Sequence, residues 1–160
     1  MKRQLVFCLV LVLCPAGAWA DPTWHLYELY GTDHPGLKAI TASPSLNNAG
    51  QVAFIGAPVS TWQCFRGNGG PLTRMDDANH AASSPGSSQY PAINDLGVVS
   101  YVGTVLSVTR GCRSDGTTVT NLFPSPLSTP TGTAINNSGT VATLAWDSND
   151  AWKKGIFDWS

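Results

Sequence analysis

The sequence predicts an all-β protein made of repeated four-stranded antiparallel sheets. Two observations carry this prediction: the amino-acid composition, and a ten-residue segment that occurs three times. Glu28 is the only Glu and Lys is scarce, so two residue types that favour helices are largely missing. Gly, Ser, Thr, Asn, Pro and Val are plentiful instead, and these residue types form turns and strands.

The first 20 residues have the three parts of a secretory signal peptide. Lys2 and Arg3 provide the positive start, residues 5–13 form the apolar middle, and Ala18-Trp19-Ala20 is a small-residue cleavage site. The apolar stretch is too short to cross a bilayer, which takes about 20 residues. We therefore expect residues 1–20 to be removed during export.

The mature chain is expected to begin at Asp21 and to reach the periplasm or the extracellular space without stable membrane insertion. Lipid attachment at Cys14 is the alternative, although Leu13 is bulkier than that processing usually accepts and Pro15 follows. About 140 residues remain, which is enough for one β domain at 21–160.

The charge balance of the mature chain argues against a nucleic-acid partner. Seven Lys and Arg remain against ten acidic residues, because Lys2 and Arg3 leave with the signal peptide. The resulting net charge of about −3 is mild, whereas nucleic acids and anionic membranes bind clustered basic surfaces.

The repeated segment reads SLNNAGQVAF at residues 45–54, AINDLGVVSY at 92–101 and AINNSGTVAT at 134–143. The copies share an aliphatic residue, Asn, a second Asn or Asp, any residue, Gly, any residue and Val. The Gly residues are 47 and 42 positions apart. A period in this range is typical of the blades of a β-propeller or of a similar repeated sheet unit.

Each copy predicts a turn that leads into a strand. Asn side chains bond to their own backbone and tolerate left-handed conformations, and Gly adopts a positive φ without strain. The residues after the Gly suit a strand that is apolar on both faces, which is expected between two neighbouring sheets. Structural turn roles are predicted for Asn47, Gly50, Asn94, Gly97, Asn136 and Gly139.

A second match follows each turn. QCFRGNGGPLTRM at 63–75 aligns with GCRSDGTTVTNL at 111–122, and GIFDWS at 155–160 begins the same element. Asn68-Gly69 and Asp115-Gly116 are strong hairpin dipeptides, so each unit predicts the four antiparallel strands of a propeller blade. The predicted units are an isolated last strand at 21–36, blade 1 at 37–80, blade 2 at 81–125 and an incomplete blade 3 at 126–160.

The first unit resembles a known repeat. Asn47-x-x-Gly50-x-x-Ala53-Phe54 is similar to the NxxGxxAF tandem repeats of bacterial exported and surface-anchored proteins, whose units often continue into a segment like FRGNGGPLT. Only the first unit matches the pattern in full, since the second has Ser100-Tyr101 and the third has Ala142-Thr143 at the last two positions. The resemblance implies an exported, β-propeller-like protein, and it carries over no catalytic residues.

Three blades make a partial β-propeller, since about four to eight are needed to close a ring. Residues 24–30 resemble a fourth strand and would complete the last blade. One hypothesis is a homodimer in which this strand completes the last blade of the partner, which would pair an open strand edge. The alternative is a single chain that folds as an open, curved stack.

Two cysteines remain after signal removal, in an oxidising compartment. In the aligned units Cys64 corresponds to Gly111 and Cys112 corresponds to Phe65, one position apart on equivalent strands. Because successive strand residues face opposite ways, the two thiols are expected to face each other between stacked blades. A Cys64–Cys112 disulfide is the favoured prediction, and two buried free thiols are the alternative.

No strong metal or cofactor motif is present. His25, His34 and His80 are not at metal-ligand spacing, so neither a metal nor a cofactor is predicted. DDANH at 76–80 and DSND at 147–150 offer oxygen ligands but lack the loop spacing of calcium sites, which favours solvated loops. RSDGTT at 113–118 resembles the aspartate boxes of sialidase propellers only loosely and is predicted to be a turn.

The favoured function is an exported, non-catalytic scaffold or recognition module that contacts a surface partner through loops on one face. The alternative is a glycan-binding or glycan-hydrolysing propeller-type protein, so enzyme activity stays open. A glycosidase usually needs two facing carboxylates, and the candidates are Glu28, Asp33, Asp76 and Asp95. Aromatic side chains that could stack on sugars, or pack between blades, are Trp24, Trp62, Trp146, Trp152 and Trp159.

Overall fold

The computed structural model describes residues 30, 37–40, 44–82, 90–105, 108–122, 127–128, 130, 132–147 and 150–159. The expected signal peptide at 1–20 and residues 24–29 of the isolated last strand lie outside this part. All regular secondary structure in the described residues is β-strand, and every strand pair is antiparallel. The all-β prediction is therefore confirmed.

The strands form three sheets that follow one another along the chain. Sheet I contains β1 Ala39–Ile40, β2 Ser45–Leu46, β3 Val52–Ala57, β4 Gln63–Gly67 and β5 Thr73–Arg74. Sheet II contains β6 Ala81–Ala82, β7 Ala92–Ile93, β8 Val99–Val105, β9 Val108–Ser114 and β10 Val119–Asn121. Sheet III contains β11 Leu127–Ser128, β12 Thr133–Ile135, β13 Val141–Asp147 and β14 Asp150–Trp159.

The first strand of each sheet is broken into two short segments that pair with the same neighbour. In sheet I both β1 and β2 pair with β3, with Ala39 opposite Ala57 and Ser45 opposite Ala53. The same arrangement holds for β6 and β7 on β8 and for β11 and β12 on β13. The break was not expected from the repeat, although Pro44 directly precedes β2 and a proline cannot donate to a strand ladder.

This break accounts for the unequal spacing of the repeats. From the Gly of one repeated turn to the first short segment of the next sheet, the chain advances by 31 residues in both cases, over 50–81 and over 97–128. Between the two segments it takes 11 residues in sheet II, over 81–92, but 6 in sheet III, over 128–134. The whole difference between the spacings of 47 and 42 therefore lies in the break.

Strand β3 is buried on both faces, as predicted. We call the face of a sheet that is turned toward the next sheet its forward face, and the opposite one its rear face. The forward face of sheet I and the rear face of sheet II share one core, which includes Ala53, Ile55, Cys64, Val99, Tyr101 and Cys112. The rear face of sheet I forms a second core from Val52, Phe54, Phe65 and Leu37, against which Tyr30, Ile40 and Leu72 pack.

Sheets II and III are joined in the same order. The Ser100 hydroxyl of β8 donates to the Thr133 hydroxyl of β12 at 2.9 Å, and Val141 of β13 packs with Leu122 and Ile135. The three sheets thus stack face to face along the chain. Within the described residues they do not close into a barrel or propeller, which fits the small number of sheets.

The predicted disulfide is wrong. Cys64 and Cys112 lie in the shared core of sheets I and II, so the prediction of their faces holds, but they are free thiols beyond bonding distance. Tyr101 and Met75 are fully buried in the same core. Face-packed sheets usually lie about 10 Å apart, whereas a disulfide needs Cα atoms within about 7 Å.

Candidate functional site

The three predicted turns occupy equivalent places, where the first strand of each sheet enters the second. We call residues 47–50, 94–97 and 136–139 corners 1, 2 and 3. In corner 1 the Asn47 side-chain oxygen accepts the backbone N–H groups of Ala49 at 3.1 Å and Gln51 at 2.8 Å. The first Asn therefore satisfies the backbone of its own turn, as the residue type predicts.

Corners 2 and 3 have the same geometry. The Asn94 side-chain oxygen accepts the N–H of Val98 at 2.9 Å, and that of Asn136 accepts the N–H of Thr140 at 2.9 Å. The Gly residues that close the three corners have φ values of 74°, 78° and 86°. These values lie in the left-handed region, where only Gly is unstrained.

Hydrogen bonds join the three corners side by side, and we call the assembly the corner row. The Asn47 side-chain amide donates to the Asn94 carbonyl at 2.8 Å. The Asn94 amide donates to the Asn136 carbonyl at 3.0 Å. The first Asn of one corner is therefore also the link to the next corner.

The second residues of the corners form a parallel set of bonds. The backbone N–H of Asn48 donates to Asp95 Oδ1 at 2.9 Å, and the N–H of Asp95 donates to Asn137 Oδ1 at 2.9 Å. The amides of Asn48 and Asn137 both donate to Asp95 Oδ2, at 3.0 and 2.9 Å. These bonds, with the Asn48 backbone N–H first, lower the pKa of Asp95, so this carboxylate holds corners together.

Two arginines that the sequence analysis did not single out complete each junction between sheets. Arg113 of β9 donates from Nη1 to the Gly139 carbonyl at 2.8 Å. Arg66 of β4 donates from Nη1 to the Gly97 carbonyl. The two arginines hold the same register position, opposite Ala53 and Ser100. They also align in the FRG and CRS segments, which is the signal that would have revealed them.

The candidate cation segment at 76–80 is occupied by its own bonds. The Asp76 carboxylate is fully buried and bonds to Arg74 Nε at 2.6 Å and to the Ala82 N–H at 2.9 Å. Asp77 Oδ1 bonds to the ring and the backbone N–H of His80, both at 2.8 Å. Burial acts to raise the pKa of Asp77, but these bonds outweigh it and lower the pKa.

The loose aspartate-box match is a turn, as predicted. Asp115 Oδ1 accepts the backbone N–H groups of Thr118 at 2.8 Å and Thr117 at 2.7 Å, and these bonds lower the pKa of Asp115. Gly116 has a φ of 95° in the hairpin between β9 and β10. Asp115 is therefore used by its own hairpin.

The glycan candidates are not brought together in the described part of the chain. Trp62 is half-buried and packs against the core shared by sheets I and II. Asp76 is buried beside Arg74, while Asp95 lies in the corner row. Residues 24, 28 and 33 and the side chains of Trp146, Trp152 and Trp159 lie outside the described part.

Within the described residues, no group of three or more His, Cys, Asp or Glu side chains is arranged to hold a metal ion. The described segments also contain no helix with the length and apolarity needed to cross a membrane.

The described polar side chains at the corners therefore serve to join sheets. Repeated bonds at one end of the sheets join corner 1 to corner 2 and corner 2 to corner 3. No protein-family model matches the sequence, and no curated protein shows significant similarity to it.

Proposed function

We propose that the protein is an exported, non-catalytic scaffold or recognition module whose three sheets are the blades of an incomplete propeller. The main support is the use of the four carboxylates whose side chains the structure describes. Asp76, Asp77, Asp95 and Asp115 each accept hydrogen bonds that fix a linker, a corner or a hairpin. A catalytic acid or base needs a carboxylate that is free to exchange a proton with a substrate.

The propeller arrangement is supported by the repeated junction. Sheet I meets sheet II as sheet II meets sheet III, through equivalent corner bonds and equivalent arginines. A face-to-face stack with the same contact at each step is the relation between neighbouring blades. The NxxGxxAF resemblance of residues 47–54 fits this arrangement.

We place the contact surface at the end of the sheets opposite the corner row. The Asn and Asp side chains of the corners are engaged with one another, whereas the connection between β3 and β4 carries Val59, a residue that is 72% exposed. Val108 begins β9 at the same end and is also exposed. Loops held on a rigid sheet are the usual location of recognition residues.

The proposal is tested with the mature chain, residues 21–160, and a panel of insoluble polysaccharides that includes peptidoglycan sacculi, chitin and cellulose. Co-sedimentation measures binding, and the release of reducing ends measures hydrolysis. We expect no release of reducing ends with any substrate. Release that is lost in Asp95→Asn, while the circular dichroism spectrum stays unchanged, would contradict the non-catalytic proposal; binding without release would identify a glycan as the ligand.

A further inference from the structure

The junctions between sheets use one set of three bonds twice. The first Asn of a corner donates from its side-chain amide to the backbone carbonyl of the first Asn in the next corner. The second residue donates its backbone N–H to a side-chain oxygen of the second residue in the next corner. An Arg in the third strand of the sheet donates to the backbone carbonyl of the Gly in the next corner. Between corners 1 and 2 the donors are Asn47, Asn48 and Arg66. Between corners 2 and 3 they are Asn94, Asp95 and Arg113.

Both ends of the corner row are open. In the described part of the chain, Asn136 Nδ2 and the Asn137 N–H have no hydrogen-bond acceptor at the corner 3 end. At the corner 1 end, the side-chain oxygen of Asn48 and the carbonyl of Gly50 have no donor among the same residues. The Asn47 carbonyl there accepts the Gly50 N–H of its own turn at 3.1 Å, whereas the equivalent Asn94 carbonyl accepts both the Gly97 N–H and the Asn47 amide. One end therefore offers donors, and the other offers the acceptors that such donors bind within the chain.

Burial follows the same pattern. Asn94, which has a corner ahead of it, is 3% exposed, whereas Asn136 is exposed. Gly97 lies under Arg66 and is buried, but Gly50 is exposed and has no atom within 4 Å of the position that a Cβ would take. The groups at the two ends are exposed because no neighbouring corner covers them.

We propose that the two ends bind each other between two copies of this chain, so that corner 3 of each copy donates to corner 1 of its partner. The occupant is a second copy because the contact continues a junction that the chain already makes twice. A head-to-tail contact between two copies closes when it is made at both ends. The closed pair would then contain three blades from each copy, and this inference rests on the blade arrangement proposed above.

Tyr30 marks the place of the incoming sheet. It packs on the rear face of sheet I, with its ring centroid 5.4 Å from that of Phe54, and its hydroxyl bonds to the Gly69 N–H at 2.8 Å. The equivalent hairpin residue in sheet II is Gly116, which lies against Thr73 and Met75 at the fourth strand of sheet I. Tyr30 thus lies where the fourth strand of a preceding sheet would lie.

The junction between copies is weaker than the two junctions within the chain. The register position of Arg66 and Arg113 is held in sheet III by Asp158, which pairs with Ala142. A carboxylate cannot donate to the Gly50 carbonyl. Two of the three bonds remain for the pair, so we expect reversible association that depends on concentration.

Sedimentation equilibrium of the mature chain across the micromolar range tests the proposal, and wild type is expected to reach the mass of two chains. Asn136→Asp keeps the oxygen that caps corner 3 but removes the amide donor, so it should raise the dissociation constant by about tenfold or more. Asp158→Arg restores the third donor and should lower the constant by about tenfold or more. Asn121→Asp carries the same charge change as Asn136→Asp on the exposed edge strand β10 and should leave the constant unchanged.

Three results would overturn the proposal. The first is a wild-type chain and an Asp158→Arg variant that both stay single at every concentration. The second is a mass that rises beyond two chains, because the contact is then open rather than closed. The third is equal effects of Asn136→Asp and Asn121→Asp. The readout is mass alone, so the dimer proposal can fail while the proposed function, which the polysaccharide assay tests, still holds.

Discussion

The side-chain amide of Asn47 donates a hydrogen bond of 2.8 Å to the backbone carbonyl of Asn94, the residue that stands at the same place in the next repeat. The oxygen of the same side chain caps its own turn by accepting the Gln51 N–H. Asp would serve equally well as a cap, but only an amide both accepts and donates. The double role explains why Asn rather than Asp holds the first position of corners 1 and 2.

Asn94→Asp should lower the free energy of unfolding by about 1–3 kcal/mol. The substitution keeps the oxygen that caps corner 2, but it removes the donor to Asn136 and buries a carboxylate beside that carbonyl. Urea unfolding of the mature chain, followed by circular dichroism, measures the change. Asn121→Asp, made at an exposed position, is the matched control and should change stability by less than about 0.5 kcal/mol. Equal losses in both variants would contradict the role given to the corner row.

Gly97→Ala should destabilise the protein more than Gly50→Ala does. Both positions have a positive φ, of 78° and 74°, so both variants carry a backbone cost of about 1–2 kcal/mol. At Gly97 the new Cβ would also lie 2.8 Å from Arg66 Nη1 and 2.9 Å from Gln51 Oε1, whereas at Gly50 it meets nothing within 4 Å. Displacing Arg66 costs its charge-assisted bond, which is worth about 1.5–3 kcal/mol.

The comparison of the two glycines is repeated in an Arg66→Met background. There the additional cost of Gly97→Ala should become smaller, because the bond that it breaks has already been removed and only the close approach to Gln51 Oε1 remains. Lys38→Met, at an exposed position, controls for the loss of a positive charge. An unchanged difference between the two alanine variants would show that Arg66 does not link β4 to corner 2.

The two cysteines should be free in the purified, unreduced protein. Thiol titration after denaturation is expected to find two thiols per mature chain, and titration of the folded protein should find neither reacting quickly. Both thiols are buried, and a reagent needs access to a thiolate. A denatured, unreduced sample with no free thiol would restore the disulfide that the sequence suggested.

The same thiols predict a loss of stability at alkaline pH. Burial raises the pKa of Cys112 to about 12 and also raises that of Cys64, from an ordinary value of about 9. The folded state favours the protonated thiols, so their contribution to the free energy of unfolding is complete below pH 9. This contribution is lost as the pH rises toward 12. The free energy of unfolding should fall by up to about 1.4 kcal/mol per pH unit for each thiol.

Cys112→Ala should make this decline shallower, whatever it does to stability at neutral pH. Tyr101, whose pKa burial also raises, remains in the variant and continues to contribute, so a residual decline is expected. The measurement is urea unfolding at several values of pH between 8 and 11, in wild type and variant. Identical slopes would mean that Cys112 does not ionise on unfolding in this range.

Export should produce a chain that begins at Asp21. Expression of residues 1–160 in a bacterial host, followed by N-terminal sequencing of the protein from the periplasm and the culture medium, tests this expectation. Ala18→Leu is expected to block cleavage, because a bulky residue does not fit a site that takes small side chains. A mature mass that corresponds to a lipid-bearing chain starting at Cys14 would establish the alternative.

Local chemistry made the corners and hairpins predictable from the sequence. Asn47, Gly50 and their repeats, and the Asp115-Gly116 hairpin, act within four residues of themselves, so residue type alone indicates their conformation. The alternation of strand residues also placed Cys64 and Cys112 on facing surfaces. These features depend on neighbours along the chain, and a single sequence contains those neighbours.

Contacts between repeats were harder to predict from the sequence. The bond from Asn47 to the Asn94 carbonyl requires the corners to lie side by side, and the repeat pattern does not specify their separation. Arg66 and Arg113 carried a detectable signal, because they align in equivalent strands, but an isolated Arg in a strand is usually read as a solvated charge. The disulfide failed for a related reason: alternation along a strand predicts which face a thiol lies on, whereas the distance between two thiols depends on how far apart the packed sheets lie.

The break in the first strand of each sheet is a position where the repeat accommodates inserted residues. Sheet II takes five more residues there than sheet III, over 81–92 against 128–134, and yet Ala92 and Ala134 pair at equivalent positions. Added length at this point leaves the ladder and the corner undisturbed. A foreign peptide grafted between Ala82 and Ala92 would accordingly be displayed at a sheet edge without changing the strand pairing or the corner of the host protein.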